Sequence, residues 1–263
     1  MVLNILLSQK LNGFKEKALF KKVKKTRPGY TIKMDKSYIA GMYDGDGSII
    51  VGKLVGGYQL KVELTQCNLE FLKSINEEFS GIGKIYMDKR VEKYRNECAG
   101  SLRFTGVKAI SLLNLMEEYA IIKAPQAKIA LEFLELGSVS NPELRAEYHK
   151  IMGGMNKDKL SYVKDYSKVN NAYIAGLLDA EGNIYCKNIP GQKARYYVKI
   201  TQKSEPGVIV AIKEFLGYGN IYPSEPYRIR FENKKDIKAM WIATEQYLTI
   251  KKTAYKNLIE VIK

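Results

Sequence analysis

The stretch that most constrains this chain is "YIAGMYDGDGSI", beginning at Tyr38, because "YIAGLLDAEGNI" returns to it from Tyr173. Each begins as an apolar run fit for a packed helix and ends with two acids among small residues. The tyrosine, isoleucine, alanine, glycine and first aspartate keep their places, while Asp46 becomes Glu181. One copy alone reads as a helix ending in a glycine cap with solvated aspartates. Two copies require a fold in which the feature is used twice.

The flanks repeat as well. "QLKVELTQCN" from Gln59 is answered by "YYVKITQKSE" from Tyr196, and "GIGKIYMDK" from Gly81 by "LGYGNIYPSE" from Leu216. "SLRFTG" from Ser101 then matches "RIRFEN" from Arg228, and "YAIIKAPQAK" from Tyr119 matches "YLTIKKTAYK" from Tyr247. Landmarks in one order mark an internal duplication, with a period too long for a solenoid. The 263 residues suffice for two domains of roughly 100–150 residues. The spacing predicts a basic extension over 1–33, a first subdomain over 34–137, a connector over 138–168 and a second subdomain over 169–263.

Each copy reads as helix, two strands, helix, two strands, helix, an α+β arrangement. Gln59, Lys61, Glu63 and Thr65 alternate with Leu60, Val62 and Leu64, the period of a half-buried antiparallel strand. Arg195, Tyr197, Lys199 and Thr201 alternate in the same way with Tyr196, Val198 and Ile200. Leu69–Phe79 and Val208–Leu216 have helical spacing and stop at glycine. Residues 107–118 give a further amphipathic helix, and a short helix is expected from Pro142 in the connector.

Lysine and arginine number 43 against 28 acids, a net charge of +15 that suits a polyanionic partner. No apolar run approaches the roughly 20 residues that span a bilayer, so no membrane role is expected. The N-terminal "MVLNILLSQK" is too short and weakly flanked for a signal peptide, and an intracellular location is expected. The heavy use of lysine and tyrosine would suit an A/T-rich organellar genome. Three scattered cysteines and one histidine, His149, make neither a zinc site nor a disulfide framework. His149 reads as a solvated residue on a connecting helix.

Small residues at Ala40, Gly41, Ala175 and Gly176 would let two motif helices pack side by side on a pseudo-twofold axis. Their carboxyl ends would then meet, bringing Asp46 close to Glu181. Close carboxylates repel, and a divalent cation relieves that repulsion at the negative ends of two helix dipoles. An oxygen-only set suits Mg2+, with Mn2+ able to substitute, and not zinc.

On "IAGMYDGDG" and "IAGLLDAEG" the sequence resembles the LAGLIDADG homing endonucleases of the double-motif, single-chain type, over about Met34 to Lys263. The resemblance implies two αββαββα subdomains whose antiparallel sheets form a saddle over duplex DNA. It implies metal binding by Asp46 and Glu181 with the carbonyls of Gly45 and Ala180, and a structural helix-end role for Asp44 and Asp179. Gln66 and Gln202 match the family's strand-end glutamine, and Lys123 and Lys251 its later lysine, both near the reacting water. Some members carry an arginine four residues after the glutamine; Glu70 and Pro206 stand there, so either another basic group supplies that charge or the site does without it.

The implied reaction is metal-assisted phosphodiester hydrolysis, with two acids serving two strands in a staggered break. Recognition should fall on outward strand residues, since a two-stranded ribbon fits the major groove. In the first copy these are Gln59, Lys61, Glu63, Lys84, Tyr86 and Arg103. In the second they are Lys187, Arg195, Tyr197, Lys199, Asn220, Tyr222, Arg228 and Arg230. Unequal halves predict an asymmetric target read by a monomer acting as a pseudo-dimer, with no obligatory protein partner. The alternative is an intron maturase or a non-cleaving nucleic-acid-binding protein of the same fold.

Overall fold

A computed structural model describes residues 33–87, 100–137, 142–158, 162–187, 194–203 and 205–262. These lie within the unit Thr31–Lys263. The basic extension predicted over 1–33 lies outside the described residues, apart from its last one.

Helix α1 spans Lys36–Asp46, opened by the Asp35 carboxylate accepting from the amides of Ser37 at 2.8 Å and Tyr38 at 3.3 Å. It runs without a loop into β1 (Gly47–Leu54). That direct passage needs Gly47, because a side-chain carbon there would press on the Tyr43 carbonyl. Strand β2 (Gly57–Gln66), α2 (Leu69–Glu78), β3 (Lys84–Met87), β4 (Gly100–Thr105), α3 (Ile110–Tyr119) and α4 (Ala124–Glu135) complete the first copy. Helix α5 (Pro142–Lys157) connects to the second copy: α6 (Asn171–Glu181), β5 (Gly182–Lys187), β6 (Arg195–Gln202), α7 (Pro206–Leu216), β7 (Asn220–Tyr222), β8 (Tyr227–Phe231), α8 (Lys234–Thr244) and α9 (Lys252–Val261).

The strands form two four-stranded antiparallel sheets with the same order, β1-β2-β4-β3 and β5-β6-β8-β7. Register puts Leu60, Val62, Leu64, Leu102 and Phe104 on the buried face of one sheet, and Val198, Ile200, Ile229 and Phe231 on that of the other. Helical residues such as Leu72, Ile75, Leu112, Val208, Ile212 and Met240 complete the core, and burial of these apolar faces is its main driving force. The duplication extends to ring packing: Phe79 meets Phe104 edge-on at 5.5 Å and Tyr218 meets Phe231 at 5.8 Å.

Several local expectations change. Each copy carries one more helix than the sequence reading gave, α4 and α9, both beginning just after the lysine of interest. Gly217 ends α7 in the left-handed conformation as expected, but after α2 the non-glycine Ser80 takes positive φ (59°) ahead of Gly81. The helix expected over 107–118 begins at Ile110, after a 3-10 turn over Gly106–Ala109.

The connector holds a 16-residue helix rather than a short one. It covers the free edge of β1: the His149 Nδ1 lies 2.6 Å from the Val51 carbonyl oxygen, and Asn156 donates to Ile49 at 3.1 Å. His149 also lies 5.3 Å from the Tyr58 ring. It is therefore a docking residue, not a solvated one, because an edge strand leaves carbonyls that need donors. No described helix is long and apolar enough to cross a membrane.

Candidate active site and nucleic-acid interface

Helices α1 and α6 touch along their glycines. A side-chain carbon on Gly41 would overlap the Tyr173 carbonyl and stand 2.9 Å from the Leu177 amide nitrogen; one on Gly176 would overlap the Tyr38 carbonyl and stand 3.0 Å from the Met42 nitrogen. At the carboxyl ends, one on Gly45 would strike the Ala180 methyl and stand 3.1 Å from Glu181 Cγ. The helices thus meet backbone to backbone at Gly41 and Gly176 and stay in contact to their carboxyl ends, where Asp46 and Glu181 emerge side by side.

Asp46 carries the electrostatic signature of this arrangement. Burial, then the neighbouring Glu181 charge, push its carboxyl up to about 6, against the pull of Lys251, Lys123 and the Gln66 hydrogen bond. Gln66 donates through Nε2 to Asp46 Oδ2. Its counterpart Gln202 is 5% exposed and buried more deeply than the half-buried Gln66.

Asp44 and Asp179, expected to be structural helix-end residues, are buried and held by backbone amides. Asp44 accepts from the amides of Ile121 (2.8 Å), Ile122 (2.9 Å) and Lys123 (2.8 Å), the turn that starts α4. Asp179 accepts from Thr249 (2.8 Å), Ile250 (3.0 Å) and Lys251 (2.8 Å) at the start of α9. An anion at a helix N-terminus is well placed there. The Lys123 ammonium returns to the Asp44 carbonyl at 2.5 Å, and Lys251 to the Asp179 carbonyl, with Ala180 O at 3.4 Å. Both lysines therefore sit at the negative ends of the motif helices. Burial lowers the Lys251 pKa, opposed by Asp179, Asp46 and Glu181.

These lysines are the positive charge beside the acids. Glu70, at one position where an arginine was sought, pairs instead with Lys73 on the surface at 2.7 Å, and Pro206 opens α7. Two tyrosines were missed by the sequence reading: the Tyr173 hydroxyl donates to Asp44 and the Tyr38 hydroxyl to Asp179, each at 2.8 Å and each across the copies. Their one sequence signal is the tyrosine that opens both motif copies.

The donor set fits a hard divalent cation. Two carboxylates held together, with the carbonyls of Gly45 and Ala180 at adjacent helix ends, supply oxygen only, and burial followed by the Glu181 charge raises the Asp46 carboxyl. Among the described residues no group of three or more His, Cys, Asp or Glu stands together.

The fourteen outward strand residues named from alternation fall on the solvent-facing sides of the two sheets. Register aligns Glu63 with Arg103 and Lys84, and Lys199 with Arg230 and Asn220. Gln59, Lys84, Tyr86, Lys187, Arg195 and Asn220 are exposed; Lys61, Glu63, Arg103, Tyr197, Lys199, Tyr222, Arg228 and Arg230 are half-buried.

The half-buried ones are held by neighbours on the same face. Arg103 lies over Tyr86 at 4.4 Å, Arg228 over Tyr222 at 5.1 Å and Arg230 over Tyr197 at 4.0 Å. Tyr197 stacks on Tyr185 at 4.8 Å, a residue that alternation in "GNIYCK" could have supplied. Glu63 pairs with Lys61 (2.6 Å) and Arg103 (2.9 Å); burial raises its carboxyl, but those two hydrogen bonds prevail and hold it low. Glu232, also missed, pairs with Arg230 at 3.0 Å and accepts from Tyr222 at 2.9 Å.

Two duplicated α+β halves, joined by paired acid-tipped helices and each bearing a polar sheet, define the class. No family model matches the sequence, and no curated protein matches it. Solved structures match in shape. I-SmaMI, a LAGLIDADG homing endonuclease bound to cleaved DNA, matches with a TM-score of 0.68 at 16% identity, over 89% of this chain and 90% of that one. The LAGLIDADG homing endonuclease I-GzeII in complex with its DNA target gives 0.69 at 12% identity, over 87% and 90%. I-SmaMI bound to an uncleaved DNA target with calcium ions gives 0.66 at 17%, over 88% and 91%. The chain has the LAGLIDADG homing endonuclease fold.

Proposed function

We propose that the protein is a site-specific endonuclease that makes a staggered double-strand break in a long, asymmetric duplex DNA target. It works as a monomer carrying both half-sites, with Mg2+ as the cofactor and Mn2+ able to substitute. The observation that carries this reading is the meeting of Asp46 and Glu181 at the ends of two helices fused along Gly41 and Gly176. A fold needing only a basic binding surface has no use for two carboxylates pressed together at a cost in stability. The similar proteins I-SmaMI and I-GzeII, solved with DNA, support the same substrate class.

In this reading Asp46 and Glu181, with the carbonyls of Gly45 and Ala180, hold the cation. What the cation supplies when bound is charge neutralisation at the phosphate and a more acidic water. Gln66 fixes the Asp46 carboxylate, so its orientation is set before the substrate arrives. Lys123 and Lys251 bring positive charge near the scissile phosphates while anchored to the motif carbonyls. The sheets orient the duplex: lysines chiefly hold phosphates, and tyrosine-backed arginines read base edges.

The decisive experiment is cleavage of a randomised duplex library in magnesium, with Asp46→Asn and Glu181→Gln as controls. Cutting that both substitutions abolish is expected. Sequence-specific binding without cutting, in magnesium or in manganese, would overturn the nuclease reading in favour of a binding protein.

A further inference from the structure

Each structural aspartate of the motifs is held by four donors, and one of the four comes from the other copy. Asp44 takes three amides from its own half and the hydroxyl of Tyr173. Asp179 takes three amides from its own half and the hydroxyl of Tyr38. In each aspartate three donors fall on Oδ2 and one on Oδ1, and both aspartates are fully buried. Burial, followed by the facing aspartate, drives both tyrosine hydroxyls far from ionisation, so each keeps the proton it donates to its aspartate.

The amides that Asp44 and Asp179 anchor include those of Lys123 and Lys251, whose ammonium groups return to the carbonyls of the same aspartates. Each aspartate thus grips its lysine at both ends. A packing role needs only the tyrosine rings, and phenylalanine would supply those. The hydroxyls add a link that crosses the pseudo-twofold axis.

We infer that Tyr38 and Tyr173 are positioning residues that act crosswise, Tyr38 on Lys251 and Tyr173 on Lys123. Each half-site is completed by the opposite copy, so neither lysine is fully placed until both motif helices are docked. This couples assembly of the interface to competence at both scissile bonds. Because the inference builds on the endonuclease reading, it is tested by two readouts, one of which needs no catalysis.

The kinetic readout is strand-resolved nicking by Tyr38→Phe and Tyr173→Phe beside Lys251→Ala and Lys123→Ala. Tyr38→Phe is expected to slow the strand that Lys251→Ala slows by about tenfold, and to add nothing when combined with it. Tyr173→Phe should pair with Lys123→Ala in the same way. Equal slowing of both strands by either tyrosine variant, or additivity with its assigned lysine, would overturn the inference while leaving the nuclease reading intact. The second readout is acylation of each lysine, mapped by peptide mass spectrometry below the melting temperature of each variant. Tyr38→Phe should speed labelling of Lys251 and leave Lys123 unchanged, with the reverse for Tyr173→Phe. Indifferent labelling would reject the coupling even if the protein proved to cut nothing.

Discussion

The carbonyl oxygen of Tyr173 occupies the place where a side chain on Gly41 would begin, and the Tyr38 carbonyl does the same opposite Gly176. The obstacle on both sides is backbone, which cannot swing aside as a flexible side chain can. Gly41→Ala and Gly176→Ala are each expected to destabilise the protein by about 2–3 kcal/mol, the cost of overpacking a closed interface. Gly153, inside α5 with no atom within 4 Å of an added carbon, provides the contrast. There the same change should stabilise by about 0.5–1 kcal/mol through helix propensity. Urea denaturation followed by circular dichroism measures all three; alanine tolerated at Gly41 would mean that the helices do not touch at backbone distance.

Asp46 ties the site to stability. Its folded pKa lies near 6, against an ordinary value of 3.8, so the folded chain holds this proton more tightly than the unfolded chain does. Stability therefore falls as pH rises through the window from 3.8 to about 6, and the full penalty stands above it. In EDTA at pH 7.5, Asp46→Asn should be more stable than the parent by roughly 1–3 kcal/mol, and the gap should narrow toward pH 4. Saturating divalent cation should stabilise the parent and not the variant. A variant of unchanged or lower stability at pH 7.5 would show that Asp46 is not under charge pressure.

The legible part of this molecule is the part that the duplication states twice. Alternation around Val62 and Val198 gave the sheets and their outward residues, since a strand's side chains have a period of two and the buried set is apolar. The small residues of the motif gave the helix pair, because close approach leaves few other choices. What could not be read depends on partners distant in the chain. Nothing near Asp44 announces that Tyr173 will reach it, and "AIIKAP" is too short to show that α4 begins there. The docking of His149 depends on β1 being an edge strand, a property of strand order rather than of sequence around the histidine. Glu63 lies on the outward sheet face expected of it, and strand register, which the local sequence does not state, sets it opposite Arg103.

If the protein acts on DNA as proposed, Glu63 should be a brake on the first sheet. Its carboxylate occupies Lys61 and Arg103, whereas the position opposite Arg230 in the second sheet is Lys199. Glu63→Gln should free two cations for phosphate and remove one negative charge. Affinity for unrelated duplex is expected to rise about tenfold at 0.1 M salt, with the slope of log K against log salt steeper by about 1. Discrimination should weaken in the half-site under the first sheet, because an unclamped arginine reads a base less strictly. Fluorescence anisotropy across a salt series gives the slope; a slope and affinity equal to the parent's would show that Glu63 restrains nothing.

The two half-sites differ in the groups that matter for chemistry, so their rates should differ. Asp46 is met by the half-buried Gln66, while the corresponding Gln202 is buried, and Glu181 reaches one methylene further than Asp46. A shift of about 1 Å in a positioning group can change a rate by as much as about 100-fold, so such differences are not negligible. Separately labelled strands are expected to be nicked at unequal rates, with a nicked intermediate accumulating before the double-strand break. Glu181→Asp, which equalises the acids, should alter the ratio between strands more than Gln202→Ala does, since the acid is proposed to touch the cation directly. Identical rates for the two strands in the parent would mean that the surrounding helices compensate for the longer side chain.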